Sequence, residues 1–180
     1  MTPAQQQLAR REYLRELRTF RLGEKIMLAT TRFTNKTWGE NQSFRDRNPK
    51  VKCAYSAPQP MSSNIPSDAP VFVLEMNNDT NRIMGIGLVR NRAIYGKYAI
   101  YQWGNYNRFV YLGGKRIDVS EMTKAEREMM RLFEAICFRG GRHMKRGHGI
   151  TSFPISILYE LSSEVHLTNY IRDMFRFTRG

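Results

Sequence analysis

The segment that most constrains the fold is PVFVLEMNNDTNRIMGIGLVRNR, residues 70–92, in which two apolar runs flank the turn-forming residues NNDTN. This pattern is typical of a β-hairpin. Because both runs are almost continuously apolar, we expect two buried strands near the centre of a sheet. Gly85 and Gly87 in the second run predict a bulge or a close approach of another segment, which favours a curled mixed sheet or a small barrel.

Helical periodicity marks both ends of the chain. Residues 3–22 place leucines on one face and arginines on another, and residues 123–138 are similarly amphipathic after a capping-box pattern of Thr123 and Glu126. The arginine face of the first helix is either a solvated surface or an arm that binds nucleic acid. A short helix and a second one from about Ser163 are expected to close the chain, so helices would flank the sheet.

Shorter segments predict the remaining strands. Residues 25–31 predict a short strand, residues 50–56 alternate as a half-buried strand does, and FVYLGGKRIDV at 109–119 predicts two strands broken by its glycines. Residues 31–50 are expected to form a polar loop, whose Trp38 either folds onto the core or offers a stacking surface. The prolines and serines of residues 56–70 predict an irregular covering loop.

The composition places these elements in one basic domain. A chain of 180 residues with 41% apolar composition can bury one core, and 12% aromatic residues are too many for a disordered tail. We expect a helical appendage over residues 1–24 and a single α+β domain over 25–180, including the C-terminal helices. The net charge of +13 then lies on a folded surface and predicts a polyanionic partner, DNA or RNA before an anionic membrane; solubility alone is the other explanation.

Other sequence features bear on location and cofactors. Cys53 and Cys137 are far apart, which indicates a reducing compartment, and no apolar run has the length of a signal peptide or a membrane span. We therefore expect a soluble, intracellular protein without a membrane partner. Gly85-Ile86-Gly87 does not continue as a dinucleotide-binding motif, and no cofactor is predicted.

Basic and aromatic residues are interleaved in one long segment. Residues 80–117 contain seven Lys or Arg side chains and no carboxylate. Rings stack on bases while basic side chains neutralise phosphates, so this composition is typical of single-strand recognition, although about half of the rings should belong to the core. The candidates for base stacking are Trp38, Tyr55, Tyr98, Tyr101 and Trp103.

The loop FRGGRHMKRGHGI, residues 138–150, combines four glycines with four basic side chains, two histidines and no carboxylate. This composition suits phosphate binding, but the G-K-[ST] ending of nucleotide-hydrolysing loops is missing. Cys137 and the two histidines lack the spacing of common zinc modules, so no metal is predicted. The candidate phosphate contacts are Arg90, Arg92, Arg108, Lys115, Arg116, Arg139, Arg142, Lys145 and Arg146, with His143 and His148 as accessory candidates.

The element order and the segments KVKCAYSAP and PVFVLEMNNDTNRIMGIGLV resemble the PUA-like superfamily, especially its EVE and YTH branches, over roughly residues 25–138. The resemblance implies a small curled sheet with flanking helices and an aromatic cage for a flipped or modified base. By this resemblance Cys53 to Tyr55 would form one wall of the cage, and Trp103 or a neighbouring tyrosine the other. YTH domains carry a tryptophan at the first wall, so methyladenine recognition is not carried over.

The sequence therefore predicts a non-catalytic nucleic-acid-binding protein, either of DNA or of RNA, with its oligomeric state open to include a homodimer. Two alternatives remain at this stage: a sequence-blind packaging or scaffold protein, and a metal-independent nuclease or base-modifying hydrolase that uses His143 and His148. The whole chain also resembles a protein of large DNA viruses of amoebae, which implies a location in the host cytoplasm, the viral factory or the virion.

Overall fold

The structure is a computed structural model that describes residues 1–95 and 98–177. Gly96 and Lys97 of the predicted aromatic segment, and the last three residues of the predicted domain, lie outside the described residues. The described helices are Pro3–Gly23 (α1), Asn35–Arg47 (α2), Lys124–Phe138 (α3), Ile155–Leu161 (α4) and Leu167–Arg176 (α5). The described strands are Met27–Phe33 (β1), Cys53–Ala57 (β2), Pro70–Asn77 (β3), Arg82–Arg90 (β4), Ile94–Tyr95 (β5), Phe109–Gly113 (β6), Lys115–Asp118 (β7) and Thr151–Ser152 (β8).

These strands form two sheets, which confirms the predicted α+β class and the mixed sheet. The larger sheet has the order β7-β4-β3-β1-β8, with β1 parallel to β3 and the other neighbours antiparallel. The smaller sheet, β2-β6-β5, is antiparallel. The predicted hairpin is the antiparallel β3–β4 pair, whose register shifts at Glu75. Within the described residues the sheets do not close into a barrel.

The larger sheet separates two hydrophobic clusters. On one face Leu28, Phe72 and Leu74 pack with residues of α3, α4 and α5, including the fully buried Phe133. The other face packs against β2, β6 and α2. The fold is therefore layered, with helices on one side of the central sheet and the small sheet with α2 on the other.

Glycines allow the two sheets to approach each other. A Cβ atom at Gly87 of β4 would overlap the hydroxyl of Tyr55 and lie 2.8 Å from Cys53 Sγ. The close approach predicted for the second strand of the hairpin is thus present. The chain then passes from the small sheet to the large one at Gly113–Gly114, between β6 and β7.

Residues 31–50 are not the loop that the sequence predicted, because most of them form α2. Thr34 caps this helix: its Oγ1 accepts from the Thr37 N–H (3.1 Å), while Thr37 Oγ1 accepts from the Thr34 N–H (2.9 Å). Trp38 lies on the inner face of α2, is 6% exposed and packs edge-on against Phe33. The stacking role proposed for Trp38 is therefore wrong, and its alternative, a core residue, is correct.

The N-terminal helix α1 lies on the surface and none of its residues is buried. It contacts α4 through two reciprocal hydrogen bonds, in which Tyr13 donates to Glu160 (2.9 Å) and Tyr159 donates to Glu16 (2.7 Å). Phe20 adds an edge-on contact with Tyr159. Among the described helices, none has the length and apolar character that a bilayer crossing requires.

Candidate nucleic-acid interface

A cleft of about 380 Å³ opens at the carboxyl ends of the parallel strands β1 and β3. Five segments meet there: the end of β1 with the start of α2, the end of β2, the residue that follows β3, the aromatic segment before β6, and the glycine loop before β8. The lining residues are Thr31, Arg32, Phe33, Thr34, Thr37, Ser56, Ala57, Pro58, Gln59, Asn78, Tyr101, Tyr106, Gly147, His148 and Gly149. No carboxylate is among these described residues, so the cleft favours neutral or anionic ligands.

Arg32, at the end of β1, supports the cleft from below. Its Nη1 donates to the Met144 carbonyl (2.9 Å), and its Nη2 donates to the Gly149 carbonyl (2.8 Å) and to Thr151 Oγ1 (2.9 Å). Longer bonds reach the hydroxyl and carbonyl of Thr30 (3.2 Å each). Burial lowers the pKa of the guanidinium, opposed by the Cys137 thiol. A single side chain thus anchors both ends of the segment 144–149.

The glycine loop is packed directly onto this arginine. A Cβ at Gly147 would lie 2.6 Å from the Arg32 Cζ, so a larger residue would displace the hydrogen-bonded guanidinium or the loop that covers it. Gly149 has a φ of +65°, which other residues rarely adopt. Asn78 Nδ2 donates to the Lys145 carbonyl (2.9 Å) and ties the loop to the end of β3. The glycines therefore serve the fixed shape of the loop at the cleft.

An aromatic series leads from the floor of the cleft to the surface. Tyr101 is 7% exposed, Tyr106 is 43% exposed and Trp103 is 68% exposed. The ring centroids of Tyr101 and Tyr106 are 6.3 Å apart, and those of Tyr106 and Trp103 are 6.0 Å apart. Burial raises the pKa of Tyr101, whose hydroxyl accepts from Asn41 Nδ2 (3.1 Å). The phenol stays protonated, and the exposed rings of Tyr106 and Trp103 are free to stack.

The structure does not bring together the two walls of the predicted base pocket. Tyr55 is 1% exposed, and its hydroxyl donates to Glu75 (2.7 Å) between the two sheets, so it cannot contact a ligand. Tyr98 is half-buried and packs edge-on against Phe44. Of the predicted stacking residues, Tyr101 lines the cleft and Trp103 lies beside Tyr106.

Arg116 is not available for a phosphate, contrary to the prediction. Its side chain is 7% exposed and forms a two-point ion pair with Glu75, with Nη2 to Oε2 at 2.7 Å and Nε to Oε1 at 2.9 Å. Nη1 donates to Asp118 (2.9 Å). The guanidinium also lies over the Trp38 ring, 5.3 Å from its centroid. This arginine joins β7 to β3 and is part of the core.

The other predicted phosphate contacts lie on the surface, but they face different ways. Arg90 donates to the Asp68 carbonyl and Arg92 pairs with the Asp68 carboxylate, whereas Arg108 lies over the Phe109 ring. Arg142 lies near Tyr13 of α1, where it opposes the rise in the Tyr13 pKa that the hydrogen bond to Glu160 causes. Lys115, Arg139 and Arg146 are exposed, Lys145 is half-buried, and none of the four has a carboxylate partner among the described residues.

The two histidines of the loop have different surroundings. His143 Nδ1 accepts a hydrogen bond from the Lys145 N–H (3.3 Å), which shapes the turn, while His148 is exposed and lines the cleft. Only His148 is therefore placed to meet a ligand in the cleft. The described residues contain no cluster of three or more His, Cys, Asp or Glu side chains that could hold a metal ion.

Sequence reasoning missed Arg32, Asn78 and Tyr106 as parts of the site. Arg32 follows the buried Thr30 and Thr31 in a strand that is otherwise uncharged, and an arginine in such a position was the available signal. Its partners lie more than 100 residues away, at 144, 149 and 151, so no local pattern could reveal them. Searches against protein-family models, curated proteins and solved structures found no match to this chain.

Proposed function

We propose that the protein binds single-stranded nucleic acid without catalysis and receives one nucleotide in the cleft at the ends of β1 and β3. The observation that carries the proposal is the lining of this cleft, which combines Arg32 and His148 with the rings of Tyr101 and Tyr106 and contains no carboxylate. The cavity of about 380 Å³ falls within the size range of small-molecule sites, roughly 300–1,000 Å³.

Stacking and phosphate contacts would contribute separately to affinity. Base stacking on an aromatic side chain contributes about 1–3 kcal/mol and tolerates many sequences, and Tyr106 and Trp103 offer exposed rings for it. Arg139 and Arg146 lie in the loop that borders the cleft and are exposed to phosphates. The PUA-like resemblance supports the same proposal, since it implies that a base is taken up beside a small sheet.

The test is fluorescence anisotropy with matched single- and double-stranded DNA and RNA oligonucleotides over a salt series. We expect single strands to bind best and to keep a component of affinity that salt does not remove, because stacking is not screened. Tyr106→Ala should weaken single-strand binding by about 1–3 kcal/mol. Tyr95→Ala is the matched control, since Tyr95 is 67% exposed and does not line the cleft.

Two results would reject the proposal. One is binding that is equal for single and double strands and disappears at high salt, which indicates a sequence-blind packaging protein. The other is equal affinity for the Tyr106→Ala and Tyr95→Ala variants. Incubating the same RNA with the protein and following its length would reveal nuclease activity, and a His148→Gln variant would show whether the histidine in the cleft is responsible.

A further inference from the structure

Arg32 and Arg116 both direct their guanidinium groups into the protein but differ in charge compensation. Arg116 faces Glu75 and Asp118, so its positive charge is balanced by carboxylates. Arg32 makes five hydrogen bonds, and all five acceptors are neutral carbonyl or hydroxyl oxygens. Within the described residues no carboxylate lies within ion-pair distance of Arg32.

A buried charge without a counter-charge is unfavourable even when it makes several hydrogen bonds, and the Nε of Arg32 is buried without a hydrogen-bond partner among the described residues. Burial lowers the pKa of Arg32, as expected for a cation that has lost water without gaining an anion. The cleft lining adds no carboxylate, so the positive potential of Arg32 extends into the cleft. The site therefore stabilises a ligand that brings a negative charge.

The N-terminus of α2, which also lies near the cleft, is not the source of the unbalanced positive charge. The Asn35 N–H already donates to the carboxylate of Asp79 (2.7 Å), and the Thr37 N–H donates to Thr34 Oγ1 (3.1 Å). The partial positive charge of the helix terminus is thus largely balanced within the protein. The unbalanced charge beneath the cleft belongs to Arg32.

We propose that the cleft binds a phosphorylated nucleotide, whose phosphate lies on the glycine-loop side and supplies the counter-charge that Arg32 lacks. The inference rests on the proposed function and adds that the phosphate, as well as the base, is recognised inside the cleft. Because Gly147 covers the guanidinium, the phosphate acts on Arg32 through space and not through a direct hydrogen bond. The base then points toward Tyr101 and Tyr106, which also line the cleft.

Free nucleotides test this inference without an oligonucleotide. Adenosine and uridine are compared with their 5′-monophosphates, and inorganic phosphate is included, by calorimetry with thermal unfolding as a second readout. We expect each monophosphate to bind at least about tenfold tighter than its nucleoside, as an ion–ion attraction across a partly desolvated site provides. Inorganic phosphate should bind more weakly than the monophosphates because it lacks the ring that stacks.

A variant that supplies the missing carboxylate makes the test specific to the cleft. Gln59 is exposed and lines the cleft, so Gln59→Glu adds one negative charge there with almost no change in shape. The control is Gln42→Glu, the same substitution on the exposed side of α2 away from the cleft lining. Gln59→Glu should weaken monophosphate binding about tenfold and reduce the preference for the monophosphate over the nucleoside, whereas Gln42→Glu should bind both as the wild type does.

The outcomes separate this inference from the proposed function. Equal binding of nucleoside and monophosphate, or wild-type monophosphate binding by Gln59→Glu, would overturn the phosphate site. If the phosphate site is overturned but Tyr106→Ala still weakens oligonucleotide binding, the proposed single-strand function stands without a phosphate site in the cleft. If monophosphates bind as expected but Tyr106→Ala leaves oligonucleotide binding intact, the cleft is a nucleotide site and the proposed single-strand function is wrong.

Discussion

At the scale of single residues, environment decides what a charged or aromatic side chain does. Arg116 and Arg32 are both basic residues in short strands, yet one completes a buried ion pair and the other anchors a loop beneath a cleft. Tyr55 and Tyr106 differ in the same way, since the first is enclosed between the sheets and the second is 43% exposed beside the cleft. Composition identified the residue types that the site uses, and of the individual stacking and accessory residues predicted from it Tyr101 and His148 line the cleft.

The first prediction concerns the buried pair of Glu75 and Arg116. Glu75→Gln removes the carboxylate and leaves Arg116 with Asp118 alone, so the free energy of unfolding should fall by about 3 kcal/mol. Asp68→Asn is the control, because the Asp68–Arg92 pair is exposed and should contribute less than about 1 kcal/mol. Urea unfolding measures both, and similar losses would contradict the prediction.

The second prediction concerns pH. Burial opposes the ionisation of Asp118, but hydrogen bonds from Ser120 and Arg116 outweigh it and lower the Asp118 pKa below its ordinary value of 3.8. As the pH falls, Asp118 is protonated in the unfolded chain before it is protonated in the folded protein. Its contribution to the free energy of unfolding is therefore complete above pH 3.8 and is lost as the pH falls through the lower, folded-state pKa. Asp118→Asn should therefore show a shallower loss of stability in this acid range, measured by urea unfolding at several pH values. Parallel curves for the two proteins would disprove it.

At the scale of helices and strands, the sequence predicted the elements whose defining pattern lies in residues that are adjacent in the chain. The β3–β4 hairpin and the capping box of Thr123 at α3 follow from adjacent residues, and both are present. Helix α2 was missed because its capping box uses Thr37 where the usual motif has Glu or Gln, and because its exposed face is highly polar. The cleft was also missed, since it joins segments that are distant in sequence.

The third prediction concerns the contact between the two sheets. Gly87→Ala would place a methyl group against the Tyr55 hydroxyl and Cys53, and should cost about 3 kcal/mol of unfolding free energy through overpacking. Gly114→Ala is the matched control, because nothing lies within 4 Å of the added Cβ and its effect should stay within about 0.5 kcal/mol. Urea unfolding compares the two variants, and equal stability would show that the sheets are less tightly packed there.

At the scale of the whole molecule, the net charge of +13 is distributed over several surfaces. Arginines of α1, the glycine loop and the segment before β6 all reach solvent. Under the proposed function, such a distribution would attract nucleic acid from many directions and raise association rates at low salt. A distributed charge does not by itself produce a defined site. A defined path for a bound strand requires that one basic surface contributes more phosphate contacts than the others.

The fourth prediction compares how the removal of three positive charges from each of two surfaces changes the salt dependence of binding. The triple change of Arg142, Lys145 and Arg146 to Ala removes three charges from the glycine loop, and the change of Arg11, Arg15 and Arg18 to Ala removes three from α1. Each lost phosphate contact reduces the slope of log K against log salt by about 0.7 for a single strand, so the loop variant should lose up to about 2.

We expect the α1 variant to change this slope much less, because α1 lies against α4 on the surface and contributes no residue to the cleft. Anisotropy titrations at several salt concentrations measure both slopes. Unchanged binding by the loop variant at near-physiological salt would remove the glycine loop from the interface. Equal losses in both variants would mean that affinity follows total charge, and that the strand has no preferred path over the cleft.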